Sequence, residues 1–393
     1  MKKTRLVVIL VLAVVLGAAS LAWAANKVVV IGACQPITGR FSFAGKHIHE
    51  GLRDYIDWAN KNKAVLGGYT LKYVFEDTSY QLNLATTAFK RIMAKYHPLF
   101  TYGESTAQGK AVYNDVMNLY KVIYGSTSFS AYLANPMRNP YTFVSGPTYQ
   151  DQMGILLKYI AMRAKKTGKK KVGFMYSNTE FGRDPIPFAK RMAKKLGLKV
   201  VFEASTAVGA VNIRPHMIRM AAAKPDYVIF QGYVLSPVPQ VIKDARARGL
   251  KTVFMATFWG MGQMVLKKLG PLAEGYMGVM FYPYWYEKAG STLAAIKKYN
   301  LARGIKYRPS YYMQGWFTGM CFVRILNGAL RMGRGKLVKA NLVKALARIK
   351  NWNTGGMMGV VSIHRNKFAQ GRVYRADVKK GEFVPVTGYI KLH

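Results

Sequence analysis

Residues Asp226 to Leu269 read DYVIFQGYVLSPVPQVIKDARARGLKTVFMATFWGMGQMVLKKL. Tyr227 to Phe230 is a short apolar run that stops at Gln231-Gly232-Tyr233, and the segment after it carries Val238, Val241, Ile242 and Ala245 at helical spacing up to Gly249. The pattern then recurs. Thr252 to Ala256 is a second apolar run, Phe258-Trp259-Gly260 a second turn, and Met264 to Leu269 a second helical segment. Strand, loop and helix, twice in succession, is the unit of a parallel sheet with helices on its faces. Ligands of such sheets sit beyond the carboxyl ends of the strands, so Tyr233, Phe258 and Trp259 are candidates to meet a small molecule.

The same alternation runs outward in both directions. Upstream, Val28 to Ala33, Thr70 to Phe75, Phe100 to Gly103 and Lys121 to Tyr124 read as strands, with helices over Lys46 to Asn60, Leu82 to Lys95 and Ala107 to Met117 between them. Two of these strands end in hydroxyl clusters, Ser105-Thr106 and Ser126-Thr127-Ser128, where a ligand is met. For any single one of these residues helix capping is the favoured role, but two clusters at successive strand ends favour a carboxylate site. After an extended crossing at Tyr141 to Tyr149, alternation resumes with a helix over Asp151 to Lys165, strands at Lys171 to Tyr176 and Lys199 to Ala204, and helices at Pro187 to Leu196 and Arg214 to Ala223. Gly275 to Phe281 reads as a strand and Tyr282 to Tyr286 as an aromatic second crossing. Three helices follow, then β-like segments at Val360 to His364, Gly371 to Asp377 and Phe383 to Val386.

The chain has 393 residues, more than one core usually serves. Its first residues, Met1-Lys2-Lys3-Thr4-Arg5, an apolar run to Leu21 and Ala22-Trp23-Ala24, have the form of a secretory leader cleaved after Ala24. A retained anchor is the competing reading, although the apolar run is short of the ~20 residues that span a bilayer. Ile31-Gly32-Ala33-Cys34 loosely resembles a lipid-attachment box; the other reading of Cys34 is a small buried residue closing the first strand. With Cys321 it makes up the whole cysteine content, which rules out a cysteine metal site or a disulfide scaffold.

Lys and Arg number 59 against 17 Asp and Glu, a formal charge of +42. The basic residues are scattered along helices, as in Lys165, Lys166, Lys169, Lys170 and Lys171, which suits solvated helix faces better than a nucleic-acid surface. The same field would draw in anionic ligands. A catalytic constellation is not apparent. The histidines are dispersed, His47 and His49 do not share a helix face, and no nucleophile elbow, phosphate loop or dinucleotide fingerprint occurs. Nothing calls for a cofactor or metal, and an enzyme is disfavoured.

Several strings in this order carry a resemblance: Gly32-Ala33-Cys34-Gln35-Pro36-Ile37-Thr38-Gly39, Glu180-Phe181-Gly182, Gln231-Gly232-Tyr233 with Ile242 to Leu250, and Ala273-Glu274-Gly275. The chain resembles the periplasmic solute-binding proteins of the branched-chain amino acid ABC transporter type. That resemblance implies an α/β fold of two Rossmann-like lobes with parallel sheets joined by a three-strand hinge, residues 25–146 plus 282–354 forming the first lobe and 147–281 plus 355–393 the second. It also implies a periplasmic monomer that closes on a ligand and delivers it to an ABC permease in the inner membrane.

Carried over by position, Ser105 matches the serine that holds the ligand carboxylate, Ser126 offers a backbone carbonyl, Ser128 matches a second gripping hydroxyl, and Tyr233 an aromatic of the opposite lobe. Two positions depart from the pattern. Phe181 stands where amino-acid binders place a tyrosine, and Phe258, beside Trp259, where they place the acid that meets the ligand's ammonium. An unpaired buried ammonium costs several kcal/mol, so the expected ligand is a small apolar or aromatic carboxylate without an α-amino group. The alternatives are a true amino-acid binder in which Glu180 or Glu287 supplies the charge, and a ligand sensor reporting to a receptor or regulator.

Overall fold

The computed structural model describes residues 27–207, 212–233, 235–288, 290–363 and 368–392. The expected leader and His364 lie outside them. The first sheet is built in chain order by β1 (Val28–Gln35), α1 (Ser42–Lys61), β2 (Thr70–Asp77), α2 (Leu82–Tyr96), β3 (Phe100–Gly103), α3 (Thr106–Ala111), β4 (Ile123–Ser126) and β5 (Thr142–Val144). Its strands lie in the order β2-β1-β3-β4-β5, and all four pairings are parallel. β3, β4 and β5 are buried at every position, because helices cover both faces.

α4 (Tyr149–Thr167) opens the second sheet. Its entry is fixed by a capping box in which Thr148 and Asp151 satisfy each other's backbone amides. There follow β6 (Lys171–Ser177), α5 (Glu180–Arg183), α6 (Ile186–Lys195), β7 (Lys199–Thr206), α7 (Arg214–Ala223), β8 (Tyr227–Gln231), α8 (Val238–Ala247) and β9 (Val253–Ala256). A 3-10 turn at Phe258–Met261, α9 (Gln263–Leu269) and β10 (Met277–Met280) complete the run. The chain then returns through α10 (Gly290–Leu301), α11 (Ser310–Met332) and α12 (Lys339–Ala347) before β11 (Gln370–Asp377), β12 (Glu382–Pro385) and β13 (Ile390–Lys391). The second sheet runs β12-β11-β10-β9-β8-β6-β7, with β13 beside β11. β6 to β10 pair in parallel; β11, β12 and β13 extend the edge antiparallel.

Two expected elements change. The helix expected over Ala107 to Met117 ends at Ala111 and resumes as a π-helical turn at Asp115–Tyr120. Lys121 then adopts a left-handed backbone (φ 48°), which no strand accommodates, so β4 begins at Ile123. The β-like segment from Val360 forms no strand among the described residues, though Val361 bridges to Trp352. Cys34 sits inside β1 opposite Glu76, buried, with its thiol pushed up to about 12 by that burial; Cys321 is buried in α11, and both are free thiols. Cys34 is thus a core residue, not an exposed attachment point.

α1 and α11 cross with their backbones in contact. A Cβ on Gly51 would fall on the Tyr312 carbonyl oxygen, and one on Gly315 on that of Ile48, so each glycine is a notch for the other helix. Beside the notch Arg308 donates to Glu50 (2.6 Å) and to Asp54 (3.1 Å), and Asp54 also accepts from the Tyr312 hydroxyl (3.0 Å). Gly51→Ala and Gly315→Ala are each expected to cost about 1–3 kcal/mol by overpacking. Gly388→Ala, where an added Cβ meets nothing within 4 Å, serves as the control in chemical denaturation.

Candidate functional site

The first sheet sets two loops side by side. Gly103 at the end of β3 pairs with Ser126 at the end of β4, and the Thr127 amide donates to the Gly103 carbonyl (2.9 Å). The hydroxyls that follow therefore converge. Ser105 takes an extended backbone and caps α3, its Oγ accepting from the Gln108 amide (3.2 Å). Thr106 Oγ1 and Ser128 Oγ share a hydrogen bond of 2.6 Å. Ser128 Oγ also accepts from the Ser130 amide (3.0 Å), and the Thr127 carbonyl accepts from Gln314 on α11 (2.8 Å). Ser126 lies one layer below, its Oγ taken by the Ser128 amide (3.1 Å).

Ser105, Thr106, Thr127 and Ser128 form the floor of a small inner cavity whose other walls are Phe41, Tyr80, Glu104, Tyr149, Phe181 and Trp259. Its volume is about 10 Å³, close to what one water molecule needs. A larger cavity of about 560 Å³ adjoins it, sharing Phe41, Tyr80 and Phe181 and adding Arg40, Phe43, Thr179, Gly232, Tyr233, Leu235 and Ser236. A volume of that size is typical of small-molecule sites.

The second sheet positions the opposing wall. Gln231, at the end of β8, donates to the Phe181 carbonyl (2.9 Å) and accepts from the Thr257 hydroxyl (2.7 Å), tying three loops together. Gly232 holds a left-handed backbone (φ 79°) against Gly182 and Ser177, an approach that a Cβ would block. Tyr233 is thereby turned into the larger cavity, with its hydroxyl bonded to that of Thr206 (2.6 Å). Trp259 projects toward the first lobe. Its indole N–H donates to the Tyr149 hydroxyl (3.1 Å), its ring lies 5.2 Å from Phe41, and its carbonyl accepts from the Tyr311 hydroxyl (3.0 Å).

Phe258, expected beside Trp259 in the cavity, is turned the other way. It is 0% exposed, and its ring packs on Phe129, Phe281, Tyr282 and Tyr311. Of the nine residues expected at the site, six line the inner cavity, Tyr233 lines the outer one, and Ser126 and Phe258 support the walls from behind.

The acids considered from sequence are engaged elsewhere. Glu180 pairs with Lys110 and Arg183, and the bond from Lys110 holds its carboxyl below the usual range. Glu287 bonds Arg372 (3.0 Å) and the Tyr374 hydroxyl (2.7 Å). The acid that does reach the cavity is Glu104. Its carboxylate accepts from the Thr78 hydroxyl and lies 3.5 Å from Ser105 Oγ, and burial pushes its pKa up to about 7. Phe41, Tyr80 and Tyr149 were likewise not singled out from sequence; the first two sit in loops after β1 and β2, where no periodicity marks an inward side chain.

Contacts also run between the lobes. Lys110 of α3 meets Glu180 of α5, Ser130 bonds Asp184, and Tyr311 of α11 meets Trp259. Among the described residues, no cluster of three His, Cys, Asp or Glu could hold a metal, and no helix is long and apolar enough to cross a membrane.

The model of the periplasmic binding protein family matches residues 28–382. Among solved structures, a branched-chain amino acid ABC transporter protein of Thermus thermophilus with bound valine is similar in fold, with TM-score 0.81 and 23% identity over 93% of this chain and 97% of that one. An ABC transporter substrate-binding protein of Aeropyrum pernix gives 0.81 and 20%, covering 93% and 96% of the two chains. A fatty acid ABC transporter substrate-binding protein of Thermomonospora curvata gives 0.79 and 17%, covering 93% of each. No curated protein sequence matches the chain. With two α/β lobes enclosing a cavity and a family match along nearly all the described residues, the chain belongs to the periplasmic binding proteins, a family that binds solutes without transforming them.

Proposed function

We propose that the chain is the extracytoplasmic solute-binding component of an ABC importer, a monomer that takes a small apolar or aromatic carboxylate between its lobes and presents it to an inner-membrane permease. The observation that carries the ligand class is the loop after β9. Where the resemblance calls for an acid to meet an ammonium, Phe258 is buried in an aromatic cluster and Trp259 faces the cavity. Phe41, Tyr80, Phe181, Tyr233 and Trp259 supply apolar and aromatic walls, and the hydroxyls of Ser105, Thr106 and Ser128 supply donors for a carboxylate. Among the similar structures one holds valine and another is named for fatty acids, so the fold itself accommodates either class.

The inner cavity as it stands admits one water, so a ligand headgroup reaches the hydroxyl floor only when Trp259 and Phe41 separate. Hinge opening separates them, since they belong to opposite lobes. The bridging contacts Lys110–Glu180, Ser130–Asp184 and Tyr311–Trp259 re-form on closure.

One observation favours a second reading, an amino acid bound in the same cleft: Glu104 lines the cavity and could face an ammonium. Calorimetry with benzoate, hexanoate and leucine separates the two. Benzoate or hexanoate is expected to bind and leucine to give no heat; tight leucine binding without a response to either acid overturns the carboxylate reading. Phe181→Ala is expected to weaken acid binding about 10- to 100-fold through lost ring contact, and Ser105→Ala about tenfold through one lost hydrogen bond.

A further inference from the structure

Glu104 is a buried carboxylate on the wall of a ligand cavity, and among the described residues no cation accompanies it. It is 2% exposed. Its side-chain partners are the Thr78 hydroxyl and, at 3.5 Å, the Ser105 hydroxyl, while its backbone amide donates to Gln108 Oε1 (2.7 Å). Among the described residues no Lys, Arg or His lies within ion-pair distance.

The charged and titratable groups that face it from neighbouring elements do not supply one. Asp77, at the end of β2, is an anion that disfavours a second negative charge. Cys34 in β1, Tyr80 after β2 and Tyr124 in β4 are held neutral by burial. Glu76 is occupied by Arg91, and Arg40 is exposed at the outer cavity.

A ligand carboxylate that reaches the hydroxyls of Ser105, Thr106 and Ser128 once Trp259 and Phe41 have moved apart comes to rest beside Glu104, because all four residues line the same inner site. Two carboxylates in contact beneath the aromatic walls of the cleft resist both staying ionised; one keeps a proton and donates it to the other. We propose that the protein binds its carboxylate ligand together with one proton, carried on Glu104 and donated in a hydrogen bond to the ligand. The proposal rests on the carboxylate reading above and assigns that site a proton-linked specificity. Protonated Glu104 is a donor to an anion, whereas ionised Glu104 repels it.

In the free protein burial holds Glu104 at about 7, and the arriving anion raises it further. Affinity is therefore greatest where Glu104 is already protonated and falls as pH rises above that value, by roughly tenfold per unit. An ammonium ligand would do the reverse, releasing a proton and binding more tightly at higher pH. Tyr80 and Tyr149 stay neutral over this range, because burial pushes both hydroxyls far above it.

The test is titration calorimetry of the full chain with benzoate and hexanoate between pH 6 and 9, in buffers of different ionisation enthalpy. Uptake of close to one proton per ligand at pH 8 is expected for the wild type, with a roughly tenfold weaker affinity at pH 8.5 than at pH 7.5. Glu104→Gln, a permanent donor, should remove both the proton uptake and the pH slope; if that variant does not fold, the wild-type buffer series decides alone. Acid binding with no proton uptake overturns the proton linkage and leaves the carboxylate reading standing. Failure of both acids to bind, or proton release on leucine binding, overturns both.

Discussion

The closed cleft depends on where Trp259 points. It enters from the turn after β9 in the second lobe, yet its ring stacks on Tyr311 of α11 at 5.7 Å and its carbonyl accepts from the same tyrosine. Its indole N–H is satisfied by Tyr149 at the start of α4. A buried tryptophan needs such a partner, and here the partner sits on the helix that opens the second sheet. One side chain thus joins the turn after β9, the entry of α4 and the long helix of the opposite lobe. Phe258 completes the anchor from behind, with its amide bonded to Gln152 (3.0 Å). The same packing leaves the inner cavity nearly filled, so closure and ligand entry compete for Trp259.

The first lobe meets this with a surface made by register. Because Gly103 and Ser126 are paired neighbours in parallel strands, the residues after them leave the sheet at one level, and hydroxyls separated by some twenty positions share hydrogen bonds. Gly103 is held where a Cβ would collide with the Tyr124 hydroxyl, so the β3 loop leaves close against its neighbour. The α1–α11 crossing does the same for the wall: with Gly51 and Gly315 as notches, α11 lies close enough for Tyr311 and Gln314 to reach Trp259 and Thr127.

Much of this was legible in the sequence, for reasons that differ by residue. The strand ends at Gly103 and Gln231 show because an apolar run stops at a glycine or a polar residue, and the residues that follow are then placed by topology alone. Orientation within a turn is another matter. Phe258 and Trp259 are adjacent in a 3-10 turn with three residues per turn, so their side chains diverge by about 120°. Which of two aromatic neighbours faces the cavity is settled by the packing of Phe129, Phe281 and Tyr311, all distant in sequence. Phe41 and Tyr80 were hidden for the same reason. They stack on each other at 4.7 Å from two different loops, and no local pattern announces such a pair.

The overall charge gives Glu104 its meaning. With 59 basic residues to 17 acidic ones, a carboxylate at the surface of this protein readily finds a cation, and Glu76, Glu180, Glu203, Asp244 and Asp377 have each done so. Even the buried Asp54 is held by Arg303 and Arg308. Glu104 stands apart from them, enclosed by Phe41, Tyr80 and Thr78 where, among the described residues, no lysine or arginine pairs with it. A charge left without a partner in the interior is costly, and a protein this rich in cations had every opportunity to supply one. The cost falls if the group carries a proton instead, as burial makes it do near neutral pH. A protonated carboxyl beside three hydroxyls is a set of donors with no fixed charge, which suits an anion arriving through a positive field and being gripped without a salt bridge.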